Sequence, residues 1–221
     1  MSDPVLAHAL NHEPQLIKGL KALVACSSVG ADPAMAAGME EARQLIEARL
    51  DAMGFVNRKR LTPADGSGQP ALYAERLDAP KAPTILIYAH YDVQPSDPLD
   101  KWETPPFDAT ERDGRLYGRG VSDDKGPMVI ALDTLAAFVA VEGRLPINVK
   151  LLIEGEEETG SRSLPEILQT HRNLLAADAV LSADGARWRP DLVALNVGSR
   201  GNAGFELRVQ TSSQDLHSGR Y

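Results

Sequence analysis

The stretch Thr84–Asp92, TILIYAHYD, decides the fold class of this chain. Its first part, Thr84–Ala89, is an uncharged run rich in β-branched and aliphatic side chains, which predicts a buried central strand. The side chains of His90 and Asp92 follow directly. Open α/β sheets bind ligands beyond the carboxyl ends of their strands. A strand that ends in a histidine and a carboxylate therefore predicts a site at that edge of a sheet.

Two more apolar runs end in acidic residues. Val149–Ile153 leads into Glu154–Glu158, and Ala179–Ala183 leads into Asp184. Stretches with helical spacing of apolar residues lie between the strands, at Lys125–Val141 and Leu164–His171. This alternation predicts an α/β fold with a mainly parallel sheet flanked by helices, and it brings the three polar clusters to one sheet edge.

The remaining elements follow from the same periodicities. Helices are predicted at Gln15–Ala25 and Ala36–Met53, and strands at Val56–Leu61, Ala71–Leu77, Leu192–Val197 and Phe205–Val209. The first twelve residues are expected to form a loose tail. Glycines cluster around residue 200, where the strand pattern changes from continuous to alternating, and this predicts a domain boundary there.

Composition restricts the classes of partner. The chain has 221 residues, with 31 acidic and 23 basic side chains and a net charge of −8, which disfavours binding to nucleic acid phosphates. No apolar run approaches the ~18 residues of a membrane span. Cys26 is the only cysteine, which excludes an intrachain disulfide. We therefore expect a cytoplasmic protein without a membrane partner.

His90 and Asp92 are two residues apart, so a strand would present both on one face. Imidazole is a common zinc ligand, and a carboxylate can hold its other ring nitrogen. A hydrogen-bonded structural histidine is the alternative interpretation. The glycine-flanked pair Asp123-Asp124 precedes a predicted helix. One carboxylate there can bridge two cations through its two oxygens, and helix capping is the alternative.

The run Glu156–Glu158 follows a predicted buried strand, where like charges repel unless a cation or solvent compensates them. One carboxylate can bind a metal while its neighbour serves as a general base, and a solvated acidic loop is the alternative. Asp184 can supply another oxygen ligand or form a turn before Gly185. Four such elements at one predicted sheet edge favour a binuclear metallohydrolase.

The sequence resembles the M20 family of metallopeptidases, most closely the dipeptidase branch that includes carnosine and cysteinylglycine dipeptidases. The matching stretches occur in the family's order and cover nearly the whole chain: Ile87–Pro95, Trp102 with Pro106-Phe107, Leu116–Gly126, Glu154–Ser161 and Asp215–Gly219. The resemblance implies a hydrolase that cleaves dipeptides or short peptides with a water held between two divalent ions. Zinc is the first choice, and manganese and cobalt are the next.

The resemblance also implies roles for individual residues. His90 and Asp184 would bind one ion, Glu158 the other, and Asp123 both. Asp92 would orient His90, Glu157 would be the base, and the Asp123–Asp124 peptide bond would be cis.

The resemblance further implies a domain organisation. Residues 1–200 would form the N-terminal portion of the catalytic domain, and residues 201–221 the start of a lid that forms a homodimer. His217 would reach from the lid into the partner's site to hold the substrate carbonyl. Family members continue beyond the position of Tyr221, and the returning segment supplies a last metal-binding histidine. A fragment of a longer enzyme and a chain completed by another chain remain open, as do an amino-acid deacylase and a noncatalytic relative.

Overall fold

The computed structural model describes residues 3–185, 189, 191–192, 194–198, 201, 203–210, 217 and 219. The chain divides into two compact units, Met1–Ala186 and Arg187–Tyr221. All helices and strands named below lie in the first unit. The assignment of residues 1–200 and 201–221 to a catalytic domain and a lid stays a prediction.

The first unit is built on a central sheet. The strands, in chain order, are β1 (Val56–Leu61), β2 (Ala71–Arg76), β3 (Thr84–His90), β4 (Thr110–Arg112), β5 (Arg115–Tyr117), β6 (Asn148–Glu154) and β7 (Ala179–Ser182). The sheet has five strands in the order β1-β2-β6-β3-β7, and β4 pairs with β5 in a separate hairpin. β3 runs parallel to β6 and β7, whereas β2 runs antiparallel to β1 and β6. Only β2 therefore opposes the common direction, which confirms the mainly parallel sheet.

Helices cover both faces of this sheet. They are α1 (Pro4–Asn11), α2 (Glu13–Ala25), α3 (Ala36–Ala52), α4 (Lys125–Glu142), α5 (Leu164–Thr170) and α6 (Arg172–Leu175). On β3, Ile87 and Ala89 pack into the core formed with α2, α3 and α4. Leu86 and Tyr88 belong to the second cluster, with α5 and α6. Alternate strand residues point to opposite faces, so the predicted α/β fold is a three-layer arrangement.

Three sequence predictions are wrong. The expected N-terminal tail is instead helix α1, because the Asp3 carboxylate accepts hydrogen bonds from the Val5 and Leu6 amides and Val5 is buried. The predicted strands at 192–197 and 205–209 are absent from the described part of those ranges. Val197 and Phe205 there are more than 90% exposed. Alternating apolar residues form a strand only where a neighbouring strand accepts their hydrogen bonds.

The structure also bears on membrane association. Among the described residues, no helix combines the length and apolar character that a bilayer-spanning segment needs.

Candidate metal centre

Three side chains from distant parts of the sequence meet beyond the carboxyl end of β3. His90 ends this strand and is fully buried. Its Nε2 lies 3.0 Å from Asp123 Oδ1 and 3.9 Å from Asp184 Oδ2. One nitrogen or oxygen atom from each of the three residues lies within 4.8 Å of the others. The structure thus brings together His90, Asp123 and Asp184 at the edge that the strand order predicts.

Asp92 contacts the ring nitrogen of His90 that faces away from Asp123 and Asp184. Its main-chain oxygen lies 3.1 Å from His90 Nδ1, and its Oδ1 lies 3.4 Å from the same nitrogen. The Asp92 carboxylate also accepts hydrogen bonds from the amides of Glu157 and Glu158, at 3.3 and 3.0 Å. This buried carboxylate therefore connects the end of β3 to the turn that carries the glutamates.

The charges around His90 determine its protonation in the absence of metal. Burial lowers the pKa of His90, but its hydrogen bond with Asp92 and the negative charges of Asp92, Asp124 and Glu157 outweigh burial and raise that pKa to about 10. The imidazole therefore lies in a strongly negative environment that favours any cation.

The two aspartates before α4 have different surroundings. The peptide bond between Asp123 and Asp124 is cis, which confirms the expectation drawn from the resemblance. The Asp123 side chain is 64% exposed, whereas Asp124 is buried. Although Asp124 occupies the N-cap position of α4, it makes no side-chain capping bond, and its Oδ2 accepts a hydrogen bond from the His90 amide at 3.0 Å. Capping thus does not explain this residue.

Lys125 is a residue of the site region that sequence reasoning missed. It is fully buried, and its Nζ donates hydrogen bonds to the Leu23 and Cys26 carbonyls, both at 2.7 Å. Burial lowers the pKa of Lys125 to about 8. The bonds attach the start of α4, and with it the Asp123-Asp124 pair, to the end of α2. The residues around Lys125 in the sequence do not indicate this contact, because its partners lie about 100 positions earlier in the chain.

The three consecutive glutamates have different partners. The Glu156 carboxylate accepts hydrogen bonds from the Gln69 and Ser163 amides. Glu157 Oε2 lies 3.9 Å from His90 Nε2. The Glu158 carboxylate accepts a hydrogen bond from Gln94 Nε2 at 2.8 Å. A solvated acidic loop therefore does not describe this segment.

The electrostatics of Glu157 differ from those of an ordinary surface carboxylate. Burial raises the pKa of Glu157, and the charges of Asp184, Glu158 and Asp123 act in the same direction, against the opposing effect of His90. A group with a raised pKa is better matched to proton transfer near neutral pH.

The donor set fits a divalent cation. One imidazole is surrounded by the carboxylates of Asp92, Asp123, Asp184 and Glu157, so negative charge exceeds positive charge. Asp124 Oδ1 is buried and has no hydrogen-bond partner among the described residues. Mixed nitrogen and oxygen ligands suit zinc, manganese or cobalt. A cation at this position would offset the excess negative charge.

Comparison with known proteins supports this description. Residues 86–215 match the model of peptidase family M20/M25/M40. This chain is a member of that family. It is 33% identical over 222 residues to the Beta-Ala-His dipeptidase of Rattus norvegicus, which covers 95% of this chain and 45% of the relative. It is 31% identical to the Cysteinylglycine-S-conjugate dipeptidase of Corynebacterium striatum, over 93% of this chain and 44% of the relative.

A solved structure gives the same result. The crystal structure of human carnosine dipeptidase 1 superposes with a TM-score of 0.75 at 31% identity, and the match covers 81% of this chain and 40% of that one. This peptidase-family chain therefore spans less than half the length of the relatives that it matches.

Glu158 is a predicted site residue that is not part of the group formed by His90, Asp123 and Asp184. Its carboxylate is bound to Gln94. His217 belongs to the second unit, where its Nδ1 accepts a hydrogen bond from the Gly219 amide at 3.2 Å. The roles of both residues stay predictions.

Proposed function

We propose that this member of the M20/M25/M40 family is the N-terminal part of a metal-dependent dipeptidase. The observation that carries the proposal is the meeting of His90, Asp123 and Asp184 within 4.8 Å, with the Glu157 carboxylate 3.9 Å from the same histidine nitrogen. Candidate metal ligands and a candidate base thus lie close to the same histidine at the end of β3. The two relatives named above are dipeptidases by name, which favours peptides over other substrates.

The ligands proposed for the metal are those of the sequence analysis. His90 and Asp184 would hold one ion, Asp123 would bridge, and Glu158 would hold a second ion after leaving Gln94. Zinc is our first choice, with manganese or cobalt as alternatives. A bound divalent ion supplies Lewis acidity, which polarises the peptide carbonyl and lowers the pKa of water.

The chain's own residues prepare the site for this chemistry. The carbonyl of Asp92 lies beside His90 Nδ1, so this nitrogen would keep its proton when a cation displaces the proton of Nε2, which faces Asp123 and Asp184. Glu157 would accept a proton from the attacking water and then give it to the leaving amine. Its raised pKa supports both transfers, because the carboxylate must hold a proton between them.

The remaining parts of the proposal concern the whole protein. Residues 201–221 would begin a lid domain, His217 would reach the substrate carbonyl in a partner subunit, and the full-length protein would be a homodimer. A cytoplasmic location is proposed because the single cysteine suits a reducing compartment.

The experiment compares substrates in the full-length protein. β-Alanyl-histidine and cysteinyl-glycine are incubated with the protein before and after chelator treatment, and an N-acetyl amino acid serves as the matched substrate of a deacylase. We expect dipeptide hydrolysis that the chelator abolishes and that zinc or manganese restores. Faster cleavage of the N-acetyl amino acid than of the dipeptides would show that the protein is a deacylase and not a dipeptidase. A metal-loaded sample that cleaves none of these substrates would favour a noncatalytic relative.

A further inference from the structure

Glu154 is a buried carboxylate that the proposed mechanism does not use. It ends β6, and only 3% of the residue is exposed. Its Oε1 accepts one hydrogen bond from the Tyr88 hydroxyl at 2.6 Å and another from the Ser161 hydroxyl at 2.9 Å. Burying a carboxylate is costly unless hydrogen bonds compensate it. The two hydroxyls therefore hold this side chain in one place.

The first hydroxyl connects Glu154 to the strand that ends in His90. Glu154 pairs in register with His90 in the parallel ladder of β3 and β6. Tyr88 precedes His90 by two residues, so both side chains lie on the same face of β3. The main chain adds a third link, because the Tyr91 amide donates to the Glu154 carbonyl at 2.9 Å.

The second hydroxyl connects Glu154 to the far end of the glutamate turn. The segment Glu157–Thr159 forms a single 3₁₀ turn, with Glu154 before it and Ser161 after it. The hydrogen bond between Glu154 and Ser161 therefore closes this segment across its base. The entrance to the turn is also tight, since a Cβ added to Gly155 would lie 2.3 Å from the Tyr91 hydroxyl.

We propose that Glu154 is a positioning residue that, together with Tyr88 and Ser161, fixes the turn carrying Glu157 and Glu158 against the strand that ends in His90. These three side chains are the Glu154 clamp. The inference rests on the proposed function, because it explains how a general base on a short turn keeps its distance from the metal ligands. The Asp92 carboxylate also holds this turn, since it accepts hydrogen bonds from the Glu157 and Glu158 amides.

Two variants remove one hydroxyl each from the full-length, zinc-loaded protein: Tyr88→Phe and Ser161→Ala. We expect kcat to fall by about 10-fold to 100-fold, the range found when groups that orient metal-site residues are removed. KM should change little, because substrate binding does not involve the clamp. Peptide-level hydrogen–deuterium exchange over residues 155–162 should become faster in both variants, whether or not the protein is active.

Matched controls separate positioning from general stability. Tyr73→Phe removes the hydroxyl of a buried tyrosine that donates to Glu75, two residues along the same strand β2. Ser163→Ala removes the hydroxyl of a buried serine two residues beyond Ser161. It keeps the hydrogen bond that the backbone amide of residue 163 donates to the Glu156 carboxylate. Both controls should leave kcat and the exchange of residues 155–162 unchanged. Within the clamp, Glu154→Gln keeps an oxygen that accepts both hydroxyls and should retain most of kcat, whereas Glu154→Leu should behave like Tyr88→Phe.

The two readouts distinguish failure of the clamp from failure of the proposed function. If the wild type hydrolyses dipeptides while Tyr88→Phe and Ser161→Ala keep its kcat and its exchange, the clamp is overturned and the dipeptidase stands. If the zinc-loaded wild type is inactive, the proposed function fails. The hydrogen–deuterium exchange of residues 155–162 then tests the clamp by itself. Unchanged exchange in both hydroxyl variants would overturn it.

Discussion

Glu156, Glu157 and Glu158 are chemically identical side chains in three different environments. Glu156 accepts two backbone amides, Glu157 faces His90, and Glu158 is bound by Gln94. Their different partners are consistent with the structural, proton-transfer and metal-binding tasks that we propose for the three residues. The sequence shows the run but not the division, because the amides that bind Glu156 come from Gln69 and Ser163.

Glu157→Gln in the full-length protein tests the division of tasks. The amide keeps the size of the side chain but cannot accept a proton, so we expect bound metal to remain and kcat to fall by about 10² to 10⁴, the usual contribution of a general base. Steady-state kinetics and metal analysis of the same sample measure both quantities.

Glu156→Gln is the matched control for that variant. It replaces one acceptor of a backbone amide, so it should lower thermal stability without a comparable loss of rate. Normal turnover in Glu157→Gln, or equal rate losses in the two variants, would remove Glu157 from its assigned role.

At the scale of elements, Arg60 links the edge strand β1 to two glutamates of helix α3. Arg60 pairs with Glu40 and with Glu47. The hydrogen bond from Arg60 lowers the pKa of Glu40 to about 2, and bonds from Gln44 and Arg43 act in the same direction. Because the folded-state pKa is depressed from its ordinary value of 4.5, this carboxylate stabilises the fold fully above that value. The contribution is lost as the pH falls from there toward about 2.

Arg60→Met should therefore lower the free energy of unfolding mainly above pH 4.5, where Glu40 is ionised in both the folded and the unfolded chain. Without the guanidinium the pKa of Glu40 rises toward its ordinary value, so stability should depend less steeply on pH between about 4.5 and 2. Urea unfolding followed by circular dichroism across that range measures the slope. The control is Arg58→Met on the same strand, which removes a single exposed ion pair with Asp51 of α3. Equal slopes for wild type and Arg60→Met would contradict this role of Arg60.

Elements with clear periodicity were predictable from the sequence, and elements fixed by single contacts were not. Strand β1 has the predicted bounds, and α3 and α4 differ from their predicted bounds by one residue at the C-terminal end. The β4–β5 hairpin has strands of three residues, which are too short to produce an alternating pattern. Helix α1 depends on the Asp3 cap and on packing against α4. No local pattern reports such packing.

The same contrast applies to the site. The convergence of His90 and Asp184 was predictable because parallel strands present their carboxyl ends at one edge, whereas Asp123 joins them from the start of helix α4. The contacts of Asp124 and Lys125 were not, because they join residues 34 and about 100 positions apart. A cap and a surface lysine were the simpler expectations for such residues.

At the scale of the whole molecule, the candidate metal ligands come from separate parts of the chain. His90 ends β3, Asp123 precedes α4 and Asp184 follows β7. The sheet order places β3 between β6 and β7, so a correctly formed sheet is required before the three atoms meet. Metal binding should therefore stabilise the first unit, since an ion that binds only the folded state adds its binding free energy to folding.

The most direct test is the metal content of this 221-residue chain after dialysis against metal-depleted buffer, measured by plasma mass spectrometry. Asp123→Ala is measured alongside, with Asp65→Ala as a control on an exposed loop. We predict about one tightly held ion per chain, since three ligands are the usual protein complement of a catalytic zinc site. The ion should disappear in Asp123→Ala and remain in Asp65→Ala. A chain that retains no ion, or an Asp123→Ala variant that retains it fully, would contradict the metal centre.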